Sequence, residues 1–166
     1  MESLHQQHDE AGSASLAEAA TANQFVTFTC GDRAFGIDIM SVREIRSWSP
    51  TTELPSQPFG AIGVLDIRGS IVQVYDLQRM LGSHGGNGET GQVVLVVSLR
   101  HLDVGLLVNT VSDIIFAQGD DLRPLPGVKS RQASGGQVAF LIKSEDRLIA
   151  VLDLAALFPS EMDFEH

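Results

Sequence analysis

The sequence predicts an all-β protein made of two similar small barrels of five strands each, with short helical turns and a C-terminal helix. Three observations support this fold class. Short apolar segments follow one another closely, glycine and proline turns separate them, and landmarks of the first half recur in the second. The 166 residues, 43% of them hydrophobic, suffice for one domain with a real core. Because about 60 residues bury little surface alone, we expect the two units to pack together and leave a groove between them.

The first half is predicted to contain five strands and one helical turn. Gly31-Asp32 separates the first two strands as a hairpin turn, and Arg68-Gly69 separates the last two. Asp76 is the predicted N-cap of a helical turn that stops at Gly82. The predicted strands cover residues 25–29, 34–39, 42–48, 61–67 and 70–75.

The second half repeats this arrangement after a glycine-rich loop at residues 82–91. Asp153 is predicted to start the last helical turn, and the polar segment 127–137 is expected to be flexible. The predicted strands cover residues 93–99, 104–108, 111–117, 138–142 and 147–152.

An internal repeat connects the two halves. Three landmarks recur in the same order with slowly growing spacing, which chance does not readily produce. They are Phe35-Gly36-Ile37 with Val104-Gly105-Leu106 (69 residues apart), Leu54-Pro55 with Leu125-Pro126 (71 apart), and Asp76-Leu77 with Asp153-Leu154 (77 apart).

Composition excludes several classes of function. With 21 acidic and 11 basic residues the net charge is −10, which argues against nucleic acid as a partner. Residues 1–23 and 159–166 are predicted to be acidic tails, the first of them mobile. No apolar run reaches the roughly 18–20 residues that span a membrane, so no direct membrane insertion is expected. One cysteine and the absence of a signal-like N-terminus favour a cytoplasmic protein.

Motifs for catalysis or cofactor binding are weak. The histidines are scattered, so no metal and no cofactor are expected. Gly86-x-Gly88-x-x-Gly91 matches the dinucleotide-binding fingerprint, but it lies in the glycine loop and precedes a strand instead of a helix, which favours a linker. Cys30 has no nearby histidine or second cysteine, so we interpret it as a small, half-buried hydrophobic residue. An enzyme therefore remains only a weak alternative.

The order of several motifs resembles the CheW family, the coupling proteins of bacterial chemotaxis. The resemblance covers about residues 24–158, as a single domain with sub-barrels at about 24–82 and 92–158. It rests on the segments 35–45 (FGIDIMSVREI), 54–58 (LPSQP), 63–69 (GVLDIRG) and 74–77 (VYDL), and on Gly105, Val108, Val111, Asp113, Pro124, Pro126 and 152–154 (LDL) in the second half.

The resemblance implies two intertwined SH3-like barrels and no catalysis. It implies an adaptor that joins the cytoplasmic tips of methyl-accepting chemoreceptors to the regulatory domain of a CheA-like histidine kinase, recruited to membrane-associated arrays. The alternative is a coupling module of the same fold for a non-flagellar kinase system, in surface motility or second-messenger control. CheV proteins add a receiver domain to this fold and CheA adds a kinase core. The predicted domain and tails leave no residues in this sequence for either, so neither of these relatives is expected.

The resemblance places receptor binding at Val42, Glu44, Ile45, Gly63 and Arg68. The guanidinium of Arg68 could pair with Glu44 or with a receptor acid. Gly63 would allow a receptor helix to approach closely, and Val42 and Ile45 would form the floor of the groove. From the residues alone, the favoured interpretation is that Val42 and Ile45 belong to the core and that Glu44–Arg68 is a surface pair of little energetic value.

Two residues depart from the family pattern. Asp66 stands where the family usually has Asn, which adds a negative charge beside Arg68, and Asn109 stands where Asp is frequent.

The resemblance does not indicate which residues contact the kinase. Phe116, Leu122 and Phe140 are candidates, although a core position is the favoured interpretation of each, and the role of Trp48 is left open between core and rim.

Overall fold

The computed structural model describes residues 24–82, 92–126 and 137–158. The predicted tails and most of the two predicted loops therefore lie outside the described residues. Within those ranges the strands are β1 (Gln24–Cys30), β2 (Arg33–Asp38), β3 (Val42–Ser47), β4 (Ala61–Ile67), β5 (Ser70–Asp76), β6 (Val93–Leu99), β7 (Leu102–Val108), β8 (Thr110–Phe116), β9 (Leu122–Arg123), β10 (Val138–Ser144) and β11 (Arg147–Leu152). Two short helices, α1 (Leu77–Met80) and α2 (Leu154–Leu157), follow β5 and β11, and 3₁₀ turns lie at Ile39–Ser41 and Gly119–Asp121.

These strands form two sheets in which most neighbouring strands are antiparallel. One sheet has the order β3-β6-β7-β5-β4, and an isolated bridge between Thr52 and Val64 joins the chain after β3 to β4. We call it the insert barrel. The other has the order β8-β1-β2-β11-β10-β9, with two-residue β9 as its sixth strand, and we call it the split barrel. The predicted all-β, two-barrel class is confirmed, although one barrel gains this short sixth strand.

The internal repeat is present in three dimensions. Strands β1, β2 and β3 correspond to β6, β7 and β8 at an offset of 69 residues, and β4 and β5 correspond to β10 and β11 at 77. Even the irregularities match, because the register shifts that skip Arg43 and Ile62 in the insert barrel recur at Ser112 and Ala139 in the split barrel. The two barrels are therefore related by an approximate internal symmetry.

The barrels do not follow the two halves of the sequence. The β6–β7 hairpin lies in the middle of the insert barrel, and the β1–β2 hairpin lies in the middle of the split barrel. This corrects the expected sub-barrels at 24–82 and 92–158. The insert barrel is the continuous stretch from β3 to β7, and β1, β2 and β8–β11 together make the split barrel. The barrels are thus intertwined because each half lends a central hairpin to the other.

Each exchanged hairpin joins the rest of its barrel through one parallel strand pair, β2 with β11 and β7 with β5. A glycine lies at the equivalent position in each of these two pairs. Gly36 of β2 lies opposite Val151 of β11, and Gly105 of β7 lies opposite Val74 of β5. A Cβ on Gly105 would stand 3.0 Å from Cγ1 of Val94 and 3.2 Å from Cγ2 of Val74. The missing side chain therefore lets strands from the two halves approach each other.

Three hydrophobic clusters follow from this arrangement. One fills the insert barrel around Val74 and Val96, and one fills the split barrel around Phe25 and Phe140. The third and largest contains residues from both barrels and lies between them, with Phe28 fully buried in it. The expected core between the barrels is present.

Both predicted helix caps are confirmed. The carboxylate of Asp76 accepts a hydrogen bond of 3.1 Å from the amide of Gln78, and that of Asp153 accepts one of 3.3 Å from the amide of Ala156. These aspartates are the N-caps of α1 and α2, so their matching places in the repeat have a structural reason.

Candidate functional site

The register shift in β3 determines where the proposed receptor-binding residues lie. Because Arg43 is skipped, Val42 pairs with Val97, Glu44 with Val96 and Ile45 with Leu95. Val97 and Leu95 belong to the core between the barrels, whereas Val96 belongs to the core of the insert barrel. Because of this bulge, the strand partners of Val42 and Ile45 face the core between the barrels, whereas the strand partner of Glu44 faces the core of the insert barrel.

Glu44 and Arg68 meet across the mouth of the insert barrel. Nη1 of Arg68 donates to Oε1 of Glu44 at 2.9 Å, while the side chain of Arg68 is 77% exposed and that of Glu44 only 19%. Arg68 occupies the left-handed region with φ 54°, in the turn between β4 and β5. The predicted proximity of these two residues is confirmed.

A second arginine holds the other oxygen of Glu44. Nη1 of Arg46 lies 3.3 Å from Oε2 of Glu44, and the side chain of Arg46 is 34% exposed. Sequence reasoning missed Arg46, although a signal was available: residues two apart on a strand share a face, which puts Arg46 beside Glu44.

The charged pair borders a cavity of about 290 Å³. Ile67, Val72 and Val96 form the apolar part of its lining, and Arg43 and Asp103 form a further ion pair at 3.5 Å on its rim. The arrangement can bind a side chain that has an apolar stem and a charged end.

Val42, Ile45 and Gly63 are not among the residues that line this cavity. Val42 is partly buried against the core between the barrels, and Ile45 is 47% exposed. Both are thus available only at the edge of β3, to one side of the charged pair.

Gly63 has a structural role inside the insert barrel. Its φ is +143°, and an added Cβ would stand 2.6 Å from Oγ1 of Thr51 and 2.7 Å from the carbonyl oxygen of Thr52. The missing side chain allows the chain after β3 to close on β4, so the close approach that glycine permits here is by the protein's own backbone.

The two departures from the family pattern are both engaged in turns. Oδ1 of Asp66 accepts from the amide of Gly69 at 2.9 Å, so its carboxylate ties the β4–β5 turn that carries Arg68. Oδ1 of Asn109 accepts from the amide of Gly31 at 2.7 Å and so fixes the β1–β2 hairpin.

Other sequence expectations have mixed outcomes. Cys30 is 4% exposed, and burial, with a further contribution from the charge of Asp76, raises the pKa of its thiol to about 12. Leu122 and Phe140 are core residues as favoured, but Phe116 is 70% exposed, so the core interpretation of Phe116 was wrong. Trp48 is 36% exposed and belongs to none of the three hydrophobic clusters.

A larger cavity of about 450 Å³ lies at the seam between the barrels. Its walls combine β1, β10 and β11 of the split barrel with Ser98 to Arg100 of the insert barrel. Nη2 of Arg100 donates to the carbonyl oxygen of Ala155 at 3.0 Å and connects the barrels there. This is the groove that the repeat predicted, and of its lining residues only Phe140 was a candidate contact residue from the sequence.

In residues 24–82, 92–126 and 137–158 no group of three or more histidine, cysteine, aspartate or glutamate side chains converges as metal ligands do. Among these same described residues, no helix combines the length and the apolarity needed to cross a bilayer.

Fold and site together define a class, the double-barrel binding modules in which two small β-barrels share one core. The model of the CheW-like domain matches residues 24–162. A chemotaxis protein CheW of Rhizobium meliloti (strain 1021) is 35% identical over 141 residues, covering 83% of this chain and 88% of the relative. The chain belongs to the CheW family and is a chemotaxis adaptor.

Two further similarities agree with this. A probable chemotaxis protein CheW of Rhizobium etli is 37% identical over 145 residues, covering 86% of this chain and 90% of the relative. The crystal structure of the scaffolding protein TtCheW from Thermoanaerobacter tengcongensis superposes with a TM-score of 0.70 at 26% identity, covering 82% of this chain and 92% of that one.

Proposed function

We propose that this chain joins the cytoplasmic tips of chemoreceptors to a CheA-like histidine kinase, and that it does so by binding alone. The observation that carries the proposal is the exposed Arg68 held by Glu44 at the mouth of the insert barrel. A guanidinium that stands out from a turn beside an apolar cavity suits a helix that brings one acidic and several apolar side chains.

The receptor side of the proposal uses Val42, Glu44, Ile45, Gly63 and Arg68. Glu44 and Arg68 would contact the receptor directly, and Val42 and Ile45 would extend the contact along β3. Gly63 would act by keeping the barrel closed beneath them, since its Cβ position is occupied by Thr51.

The kinase side is proposed to be the surface of β8. This strand ends one sheet, and Ile114 and Phe116 on it are 54% and 70% exposed. The two residues lie two positions apart on one strand, so they expose neighbouring apolar side chains at a sheet edge, a surface that strand and apolar partners can use. They are suited to a homologous barrel in the kinase regulatory domain, and array recruitment would follow from both contacts.

Affinity purification from the source cells tests the receptor contact, with the wild-type chain and Arg68→Glu as baits. We expect both baits to recover a CheA-like kinase and only the wild type to recover chemoreceptors. The charge reversal places two carboxylates together in a confined space, which lowers affinity by well over tenfold. Recovery of receptors by both baits would remove Arg68 from the contact.

Phe116→Ser tests the kinase contact, and Phe59→Ser is its matched control because Phe59 is also 70% exposed. We expect Phe116→Ser to weaken binding to the purified kinase regulatory domain by about tenfold, whereas Phe59→Ser leaves it unchanged. Titration calorimetry measures both. Equal binding by the two variants would move the kinase contact away from β8, and the identity of the kinase recovered separates flagellar from non-flagellar systems.

A further inference from the structure

Glu44 is shared between two arginines that differ in exposure. Oε1 contacts Arg68, whose side chain is 77% exposed, and Oε2 contacts Arg46, whose side chain is 34% exposed. Glu44 itself is only 19% exposed, so its charge depends on these two neighbours more than on water.

This difference in exposure makes the two contacts unequal. Arg68 can leave Glu44 at little cost because water solvates an exposed guanidinium and exposed ion pairs are weak. If Arg68 left and no other cation remained, Glu44 would be a partly buried carboxylate without a counter-charge, which is costly. Arg46 removes that cost because it stays beside Glu44.

Arg46 also has an unused donor. Its Nε is buried and finds no hydrogen-bond partner among the described residues. A guanidinium donates two parallel bonds to one carboxylate through Nε and Nη2 or through Nη1 and Nη2. Once Arg68 turns away, a rotation of the Arg46 guanidinium can present Nε and Nη2 to Glu44, and the buried Nε then gains the partner that it lacks in the free protein.

The charges at the mouth of the insert barrel indicate what would attract Arg68. Arg43 and Arg68 line the cavity with Glu44 and Asp103, and each arginine is paired with one of these acids, so the lining is balanced in charge. Arg46 contacts Glu44 from outside the lining, so Glu44 keeps a counter-charge when Arg68 turns away, and the exposed guanidinium of Arg68 is then free. A carboxylate at the end of a partner's side chain complements that guanidinium.

We propose that a carboxylate of the docked partner helix takes over Arg68 from Glu44, and that Arg46 is the positioning residue that makes this exchange possible by retaining Glu44. The proposal rests on the receptor-binding role proposed above for Arg68. It adds the exchange of Arg68 between two carboxylates, and a residue that acts without touching the receptor.

Binding of a soluble fragment of the cognate chemoreceptor tip, measured by calorimetry, tests the exchange in a set of full-length variants. We expect Arg46→Met to weaken binding about as much as Arg68→Ala, by about tenfold, because Arg68 is then locked onto Glu44. The double variant is expected to bind no more weakly than Arg68→Ala alone, and Arg46→Lys is expected to recover most of the affinity.

The Glu44→Gln background separates positioning from a general structural effect. With the charge of Glu44 removed, Arg46→Met is expected to have no further effect on binding, whereas a loosened fold would weaken binding in either background. Arg33→Met, which removes an exposed positive charge from β2, controls for net charge. Thermal unfolding verifies that each variant is folded, with Arg46→Gln, which also removes the charge, as the variant to use if Arg46→Met is not.

The outcomes distinguish this inference from the proposed function. Normal binding by Arg68→Ala would overturn the receptor site and the exchange with it. Weak binding by Arg68→Ala but normal binding by Arg46→Met would overturn the exchange alone. Additive effects of Arg46→Met and Arg68→Ala, or an undiminished effect of Arg46→Met in the Glu44→Gln background, would also overturn it.

Discussion

Glu44 organises the charged site because each of its carboxylate oxygens has its own arginine. The sequence predicted Glu44 near Arg68 only through the family resemblance, since the two are 24 positions apart. Arg46 was missed because its contact with Glu44 was not sought along the strand. The contacts of Glu44 with these arginines depend on the register of β3, and no local sequence pattern specifies that register.

Cys30 leads to a prediction at the scale of a single residue. Burial raises the pKa of its thiol from 9.0 to about 12, and burial also raises the pKa of Tyr75. Above pH 9 the unfolded chain releases the thiol proton that the folded chain keeps, so the free energy of unfolding falls as the pH rises from 9 towards 12.

Urea denaturation between pH 8 and about pH 11 checks this prediction about Cys30. We expect the loss of stability with pH to be smaller in Cys30→Ala than in the wild type, and Tyr75→Phe serves to separate the contribution of the tyrosine. Parallel pH profiles of the wild type and Cys30→Ala would contradict it.

Secondary-structure elements were predicted well because their signals are local. Segments 61–67, 93–99 and 147–152 coincide with β4, β6 and β11, and both aspartate caps lie where they were expected. Apart from the two-residue strand β9, which was not predicted, the errors concern what each element contacts. Phe116 has the same apolar pattern as a core residue, and only the position of β8 at the end of a sheet exposes it.

The two parallel strand pairs, β2 with β11 and β5 with β7, lead to a prediction at the scale of the elements. Gly105→Ala would bring a methyl group to 3.0 Å from Val94, whereas Gly36→Ala would bring one to 3.3 Å from Ile149. Overpacking of this kind costs about 1–3 kcal/mol, against a gain of about 0.4–1 kcal/mol from the less flexible unfolded chain.

We therefore expect Gly105→Ala to lower the free energy of unfolding by about 1–2 kcal/mol and Gly36→Ala to change it by less than about 1 kcal/mol. Denaturant midpoints of the two variants, at unchanged slope, give the comparison. A larger decrease in the free energy of unfolding for Gly36→Ala than for Gly105→Ala would show that the two parallel strand pairs are packed differently from this description.

At the scale of the whole molecule, the repeat was predicted but the exchange of hairpins was not. Sequence patterns reveal that β1 and β2 are strands, yet their neighbours β8 and β11 lie far along the chain. Pairing at such distances is decided by the shared core between the barrels, which forms only when both halves are present.

The exchange predicts how the two halves behave when separated. Residues 24–82 lack the central strands of the insert barrel, and residues 92–158 lack those of the split barrel. Each fragment alone is expected to be unfolded, and an equimolar mixture is expected to regain β-sheet structure with cooperative unfolding. Circular dichroism and heteronuclear NMR follow this, and a cooperative transition in either isolated fragment would count against it.

The two places where the chain passes between the barrels are very short. The 3₁₀ turn Ile39–Ser41 leads from β2 to β3, and the single residue Asn109 leads from β7 to β8. Because both crossings are short and a continuous hydrophobic core lies between the barrels, we expect the two barrels to move as one body. In mechanical terms the protein would act as a bracket: if partners bind at the mouth of the insert barrel and on β8 as proposed, the fold sets the angle between them.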